Sequence, residues 1–136
     1  MSSVEASPSS PRVLVVEDDA LVRLAVAETF QNAGWAVMVA ASGEEAVRFT
    51  GRVWQIEAVF TDIRLGGKLS GWDVAETFRA ADATIPVVYA SGNPVLPMRQ
   101  VDGSVFFQKP YDPAEIVNAC ARLAAASIEL ASASLH

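Results

Sequence analysis

Residues 12–19 read RVLVVEDD: a short apolar run, rich in Val, that breaks off into three consecutive acids. Unbroken apolarity over so few residues predicts a strand buried on both faces, as in a parallel sheet. Outward from it the pattern alternates. Over 19–33, apolar or small residues recur at Val22, Ala25, Val26, Thr29, Phe30 and Ala33, which is helical spacing, and Gly34 supplies a stop. AVMVAA (36–41) predicts a second strand, and Ser42-Gly43-Glu44-Glu45 is a capping-box pattern opening a short helix to about Thr50. IEAVFT (56–61) predicts a third strand, 63–70 a Gly-rich loop and 70–81 a helix. IPVVYA (85–90) predicts a fourth strand, after which Pro94 and Pro97 limit any helix to a short or late-starting one. SVFFQ (104–108) predicts a fifth. Asp112-Pro113-Ala114-Glu115 then offers an N-cap, a Pro at the first helical position and an acid for a long last helix. Ser- and Pro-rich residues 1–11 read as a flexible tail, 12–130 as one domain and 131–136 as a flexible C-terminal tail.

Composition narrows the function classes. The chain has 136 residues, 51% of them apolar and 19% charged, which is the mix of a single globular domain. Ten basic residues against 16 acidic ones give a net charge of −6, which argues against a nucleic-acid-binding surface. One Cys, Cys120, allows no internal disulfide; it shares helical spacing with Ile116, Val117, Leu123 and Ala124 and reads as core. Trp35, Trp54 and Trp72 are scattered and read as packing residues. The single His is His136, which removes Cys/His zinc sites and Ser-His-Asp triads from consideration. MSSVEASPSS lacks the basic start and apolar stretch of a signal peptide, and no apolar run approaches a membrane span. The expectation is a cytoplasmic protein with no membrane partner.

Five strands alternating with helices imply right-handed crossovers and a parallel sheet covered on both faces. Such sheets bind ligands at the carboxyl ends of their strands. Those ends here carry Glu17-Asp18-Asp19, Thr61-Asp62, Ala90-Ser91-Gly92 and Gln108-Lys109-Pro110. Taken singly, each is an ordinary helix cap, turn or loop. Taken together, they gather carboxylates, a hydroxyl and an ammonium on one rim. Crowded carboxylates repel, and a divalent cation relieves the conflict; all-oxygen donors with room for water suit Mg²⁺.

VLVVEDD, FTDIRL, YASG and FFQKP resemble the four signature stretches of the response-regulator receiver domain of two-component signalling, over about residues 11–130. The resemblance implies a flavodoxin-like doubly wound sheet of strand order 2-1-3-4-5 with a short or irregular fourth helix. It implies that Asp62 is the phosphoacceptor, with Mg²⁺ held by Asp18, Asp62 and the carbonyl of Arg64, and by Glu17 through water. Lys109 matches the phosphate-contacting lysine, Ser91 the switch hydroxyl and Phe106 the switch aromatic, and the Lys109-Pro110 bond is expected to be cis. Ser91 and Phe106 are expected to reshape residues 93–101 together on activation. The implied partners are a histidine kinase or histidine phosphotransfer protein and a downstream protein target. The short remainder after the last helix favours a stand-alone receiver, not a conventional enzyme.

Two departures stand out. The family usually has a Pro a few residues after the acceptor, where this chain has Leu65-Gly66-Gly67-Lys68 with one extra residue before Gly71. Tyr89-Ala90-Ser91-Gly92 is similar to the Phe-Ala-Thr-Gly motif of a subgroup of single-domain receivers. Arg64 and Asn93 occupy the positions expected to set the lifetime of the phosphorylated form, and Arg64 favours a long one. Two alternatives have distinct signatures. A Mg²⁺-dependent aspartyl phosphatase of the haloacid-dehalogenase type needs a second carboxylate two residues after the nucleophile, where this chain has Arg64. A receiver-like module that works without phosphorylation has no use for the complete set of acids, Ser91 and Lys109.

Overall fold

A computed structural model describes residues 9–92 and 99–134. Residues 1–8, Asn93, the short helix expected around Pro94 and Pro97, and His136 lie outside the described residues. The elements run β1 (Arg12–Val16), α1 (Ala20–Asn32), β2 (Ala36–Ala40), α2 (Gly43–Val47), a 3-10 turn (Arg52–Trp54), β3 (Ala58–Asp62), α3 (Gly71–Ala81), β4 (Val87–Ser91), β5 (Val105–Gln108) and α4 (Pro113–Ser134). The five strands form one sheet in the order β2-β1-β3-β4-β5, every pair parallel, which is the order 2-1-3-4-5 that the resemblance implies.

Side chains alternate across the sheet and so divide the core in two. Leu14, Val16, Val59, Val87 and Tyr89 pack with Trp72, Val74, Ala75 and Phe78 of α3 and Ala46 of α2. Val13, Val15, Phe60, Val88 and Ala90 pack on the other face with Val26 and Phe30 of α1 and Ile116, Val117 and Cys120 of α4. The central strands β1, β3 and β4 are buried almost throughout, which is why their sequences read as continuous apolar runs. Trp35 stacks edge-on to Phe30, and Trp54 edge-on to Phe49. Burial pushes the Cys120 thiol up to about 12, the behaviour of an inert core cysteine.

Boundaries move where local chemistry wins. β4 begins at Val87, because Pro86 has no N–H to donate and contributes its carbonyl to Val59 N instead. β3 begins at Ala58, because the 3-10 turn ends in Gln55 with φ of 54°, which turns the chain just before the strand. α2 ends at Val47, not near Thr50: Arg48, Phe49 and Thr50 donate three residues back, a tightened last turn. α4 runs to Ser134, past residue 130 where the sequence reading ends the domain, because 128–134 holds no Gly or Pro to stop it. Gly34, at φ 94°, ends the first α-unit as expected.

Candidate functional site

The site residues stand at the last rungs of the ladder. Glu17 N donates to Ala40 O at 3.0 Å, Ile63 N to Ala90 O at 3.0 Å and Lys109 N to Ser91 O at 2.8 Å. Each bond extends pairing one residue past a strand and fixes the backbone from which an acid or the lysine projects. Asp19 is the N-cap of α1, its Oδ1 accepting from Leu21 N at 2.9 Å and Val22 N at 3.2 Å. Arg23, one turn further along α1, reaches back so that its Nη1 donates to Glu17 O at 2.9 Å. The Lys109-Pro110 peptide is cis.

At the centre, Lys109 Nζ donates to Asp62 Oδ2 at 2.8 Å and lies 3.8 Å from Glu17 Oε2. Asp62 is 5% exposed and Glu17 1% exposed, while Asp18 is open to solvent. One oxygen from each of Glu17, Asp18 and Asp62 lies within 4.8 Å of the others. Glu17 Oε1 accepts from Asp19 N at 3.2 Å, whereas its buried Oε2 has no hydrogen-bond partner. Burial, reinforced by the charge of Asp62, pushes the Glu17 carboxyl up to about 7. Desolvation pulls Lys109 down, but its hydrogen bond to Asp62 and the surrounding acids outweigh this and raise it.

Three clustered carboxylates and one ammonium leave an excess of negative charge, and one buried oxygen lacks a partner. That donor set fits a hard divalent cation with oxygen ligands, the Mg²⁺ expected from sequence.

The β3–α3 connection forms the outer wall. Asp18, Arg64, Gly67, Lys68, Trp72 and Arg99 are among the residues around a cavity of about 610 Å³. Arg64 is exposed there. Gly71 closes the base of the connection, its N–H donating to Ile63 O at 2.8 Å; a Cβ at Gly71 would lie 2.2 Å from Asp62 O. The capping box on α3 is complete: Ser70 Oγ accepts from Asp73 N, and Asp73 Oδ2 accepts from Ser70 N at 2.7 Å. Gly92 is open by comparison, since a Cβ there would meet only Lys109 Cδ at 3.7 Å.

Glu17, Asp18, Asp62 and Lys109 are therefore brought together. Ser91 is buried at the end of β4, one position after Ala90, which pairs with Asp62. Arg64 borders the cavity. Phe106 is half-buried opposite Tyr89 on β4.

Three contributors escape the sequence reading. Tyr89 is fully buried, and its hydroxyl accepts from Val101 N at 3.1 Å, anchoring the stretch before β5. Arg99 pairs with Asp73 at 2.8 Å and Glu76 at 2.7 Å on α3. Glu44 of α2 reaches the β3–α3 connection, its Oε2 accepting from Lys68 N at 2.9 Å. None carries a local signal, because each partner lies far along the chain.

Known proteins are similar to this chain in sequence and fold. A profile of the response regulator receiver domain matches residues 13–121. The alkaline phosphatase synthesis transcriptional regulatory protein SphR of Synechococcus elongatus is 31% identical over 130 residues, covering 87% of this chain and 50% of that protein. The transcriptional regulatory protein PrrA of Mycobacterium leprae is 30% identical over 118 residues, 84% of this chain and 50% of PrrA. The chain thus spans about half the length of the curated relatives it matches. A crystal structure of a response regulator receiver protein from Sinorhizobium medicae superposes with a TM-score of 0.85 at 31% identity, over 89% of this chain and 99% of that one. Among the described residues, no helix is long and apolar enough to cross a membrane. Fold, rim chemistry and matched span agree, and the chain belongs to the response regulator receiver domain family of two-component signalling.

Proposed function

We propose that Asp62 accepts a phosphoryl group from a phosphohistidine, on a histidine kinase or a histidine phosphotransfer protein, or from a small acyl phosphate. The observation that carries this reading is the buried Asp62 carboxylate held by Lys109 at 2.8 Å within a cluster of acids suited to a divalent cation. An Asp62 oxygen attacks phosphorus, the new O–P bond forms as the N–P bond breaks, and the imidazole leaves with the electron pair. Asp18, Asp62 and the carbonyl of Arg64 would hold Mg²⁺, with Glu17 acting through water. Mg²⁺ when bound supplies charge stabilisation to the phosphoryl oxygens. Lys109 neutralises the oxygens that gain charge, and its hydrogen bond to Asp62 keeps it in place beforehand.

Ser91, at the end of the adjacent strand, donates to the new phosphoryl group, biasing the protein toward an output state. The output passes through contact with a downstream protein; a net charge of −6 supports a protein target over nucleic acid.

The test is labelling by an acyl phosphate carrying radioactive phosphorus. Label should enter the wild type with Mg²⁺ present, fall to background on chelation and be absent from Asp62→Asn. Undiminished labelling of Asp62→Asn would sink the assignment.

A further inference from the structure

The β3–α3 connection presents a problem of order. It leaves the strand at Asp62, must hold its first residues beside Asp18, and yet contains Gly66-Gly67, a pair with maximal backbone freedom. Its base is closed by the bond from Gly71 N to Ile63 O, and the buried Leu65 side chain pins one side. The outer arc, 66–69, has no buried side chain of its own.

Its support comes from α2. Glu44 Oε2 accepts from Lys68 N at 2.9 Å. Hydrogen bonds from the backbone of Lys68 and of Glu44 itself, with Leu69 adding, hold the Glu44 carboxyl below its ordinary range, so it is charged at neutral pH. The fit is mutual. A Cβ at Gly67 would stand 2.6 and 2.7 Å from the two Glu44 oxygens, so the missing side chain is the space the carboxylate fills. Gly43 makes the same kind of approach, since a Cβ there would lie 2.7 Å from Leu69 Cβ. The first turn of α2 and the arc 67–69 therefore fit as one unit, 24 residues apart in sequence.

We propose that Glu44 is a positioning residue: it holds the arc from outside, and through the arc it fixes the Arg64 edge of the cation site. The inference rests on the reading that Arg64 and Asp62 border a bound Mg²⁺. Removing the carboxylate frees the Gly-Gly arc to sample other conformations, and cation binding must then order it. Groups that orient metal ligands typically matter by about 10–100-fold in affinity; Glu44 acts one step further out and at the surface, so about three- to tenfold is expected.

The test is the Mg²⁺ dissociation constant, measured by titration calorimetry, together with the thermal midpoint. Glu44→Ala should weaken Mg²⁺ by about three- to tenfold, while its thermal midpoint changes little because the contact is exposed. Glu44→Gln keeps an acceptor for Lys68 N and should recover most of the affinity. Gly67→Ala pushes the flexible carboxylate aside without backbone collision and should reproduce Glu44→Ala. Both variants break one contact, so the double variant should be no weaker than either single one. Wild-type affinity in Glu44→Ala, or fully additive losses in the double variant, overturns the inference alone. A wild type that binds no Mg²⁺ overturns the reading beneath it.

Discussion

Two connections deliver the acids of this site, and they are held in opposite ways. The β1–α1 connection is three residues long and is held mainly by its neighbours in sequence: Asp19 caps α1, Glu17 Oε1 accepts from Asp19 N, and Arg23 Nη1 donates to Glu17 O, with one distant bond from Glu17 N to Ala40 O. The β3–α3 connection, 63–70, relies on distant help: Ala90 O receives Ile63 N, Gly71 closes on Ile63, and Glu44 holds Lys68. The short connection takes most of its bonds from residues close in sequence. The long one takes more of its bonds from residues far along the chain. Mostly local bonds thus place Glu17 and Asp18, whereas the surroundings of Asp62 depend on the assembled sheet and helices.

The largest break in this contrast should come from Gly71→Ala. Its Cβ would meet Asp62 O at 2.2 Å, backbone against backbone, so the base of the long connection must move. A loss of about 3 kcal/mol in urea denaturation is expected, with Asp62 labelling lost too. Stability equal to wild type would show that the closure is not tight.

Lys109→Met tests the charge that both connections face. Without the ammonium at 2.8 Å from Asp62, labelling by an acyl phosphate should slow by about 100-fold while the fold persists. A rate within a few-fold of wild type would remove Lys109 from the chemistry.

The acid of the short connection predicts a pH dependence. Glu17 has a carboxyl at about 7 in the folded chain, against 4.5 unfolded. Between those values the folded state binds the extra proton. In metal-free protein, Glu17's contribution is therefore complete below about pH 4.5 and is lost as pH rises through about 7. Mg²⁺ needs the carboxylate, so its stabilisation should grow over the same window. Thermal melts at about pH 5 and about pH 8, with and without Mg²⁺, read this directly. Equal stabilisation at both, or an unchanged pattern in Glu17→Gln, contradicts it.

Asp19→Ala removes the α1 cap from the short connection and should cost about 1 kcal/mol with little change in labelling. Such a small, local loss is the counterpart of the Gly71 result.

The smallest effect is expected at Arg64, exposed on the long connection. Arg64 borders the cavity, and its guanidinium offers donors but no acceptor to orient a hydrolytic water. Arg64→Asn should shorten the lifetime of labelled protein by a few-fold. An unchanged decay would make Arg64 a bystander.

The same contrast governs what the sequence discloses. The continuous runs of β1, β3 and β4, the Ser42 cap that opens α2 and the acids at strand ends are local signals, and all appear in the folded chain. Strand order and the gathering of Glu17, Asp18, Asp62 and Lys109 follow from the motif set. The pairing of Glu44 with Lys68, of Tyr89 with Val101 and of Arg99 with Asp73 does not. Each joins residues separated by 12 or more positions, and only the packed fold brings them within reach. Element ends shifted for a different, local reason: β4 starts late because Pro86 has no N–H to donate, whatever its apolar run.

The central claim is that the two connections meet at Asp62 to make a phosphoacceptor. Mass spectrometry after incubation with acetyl phosphate and Mg²⁺ tests it most directly. The account predicts one added phosphoryl mass, lost on chelation during incubation and carried by the peptide that contains Asp62. An added phosphoryl mass on any other peptide, or none at all with Mg²⁺ bound, would contradict it.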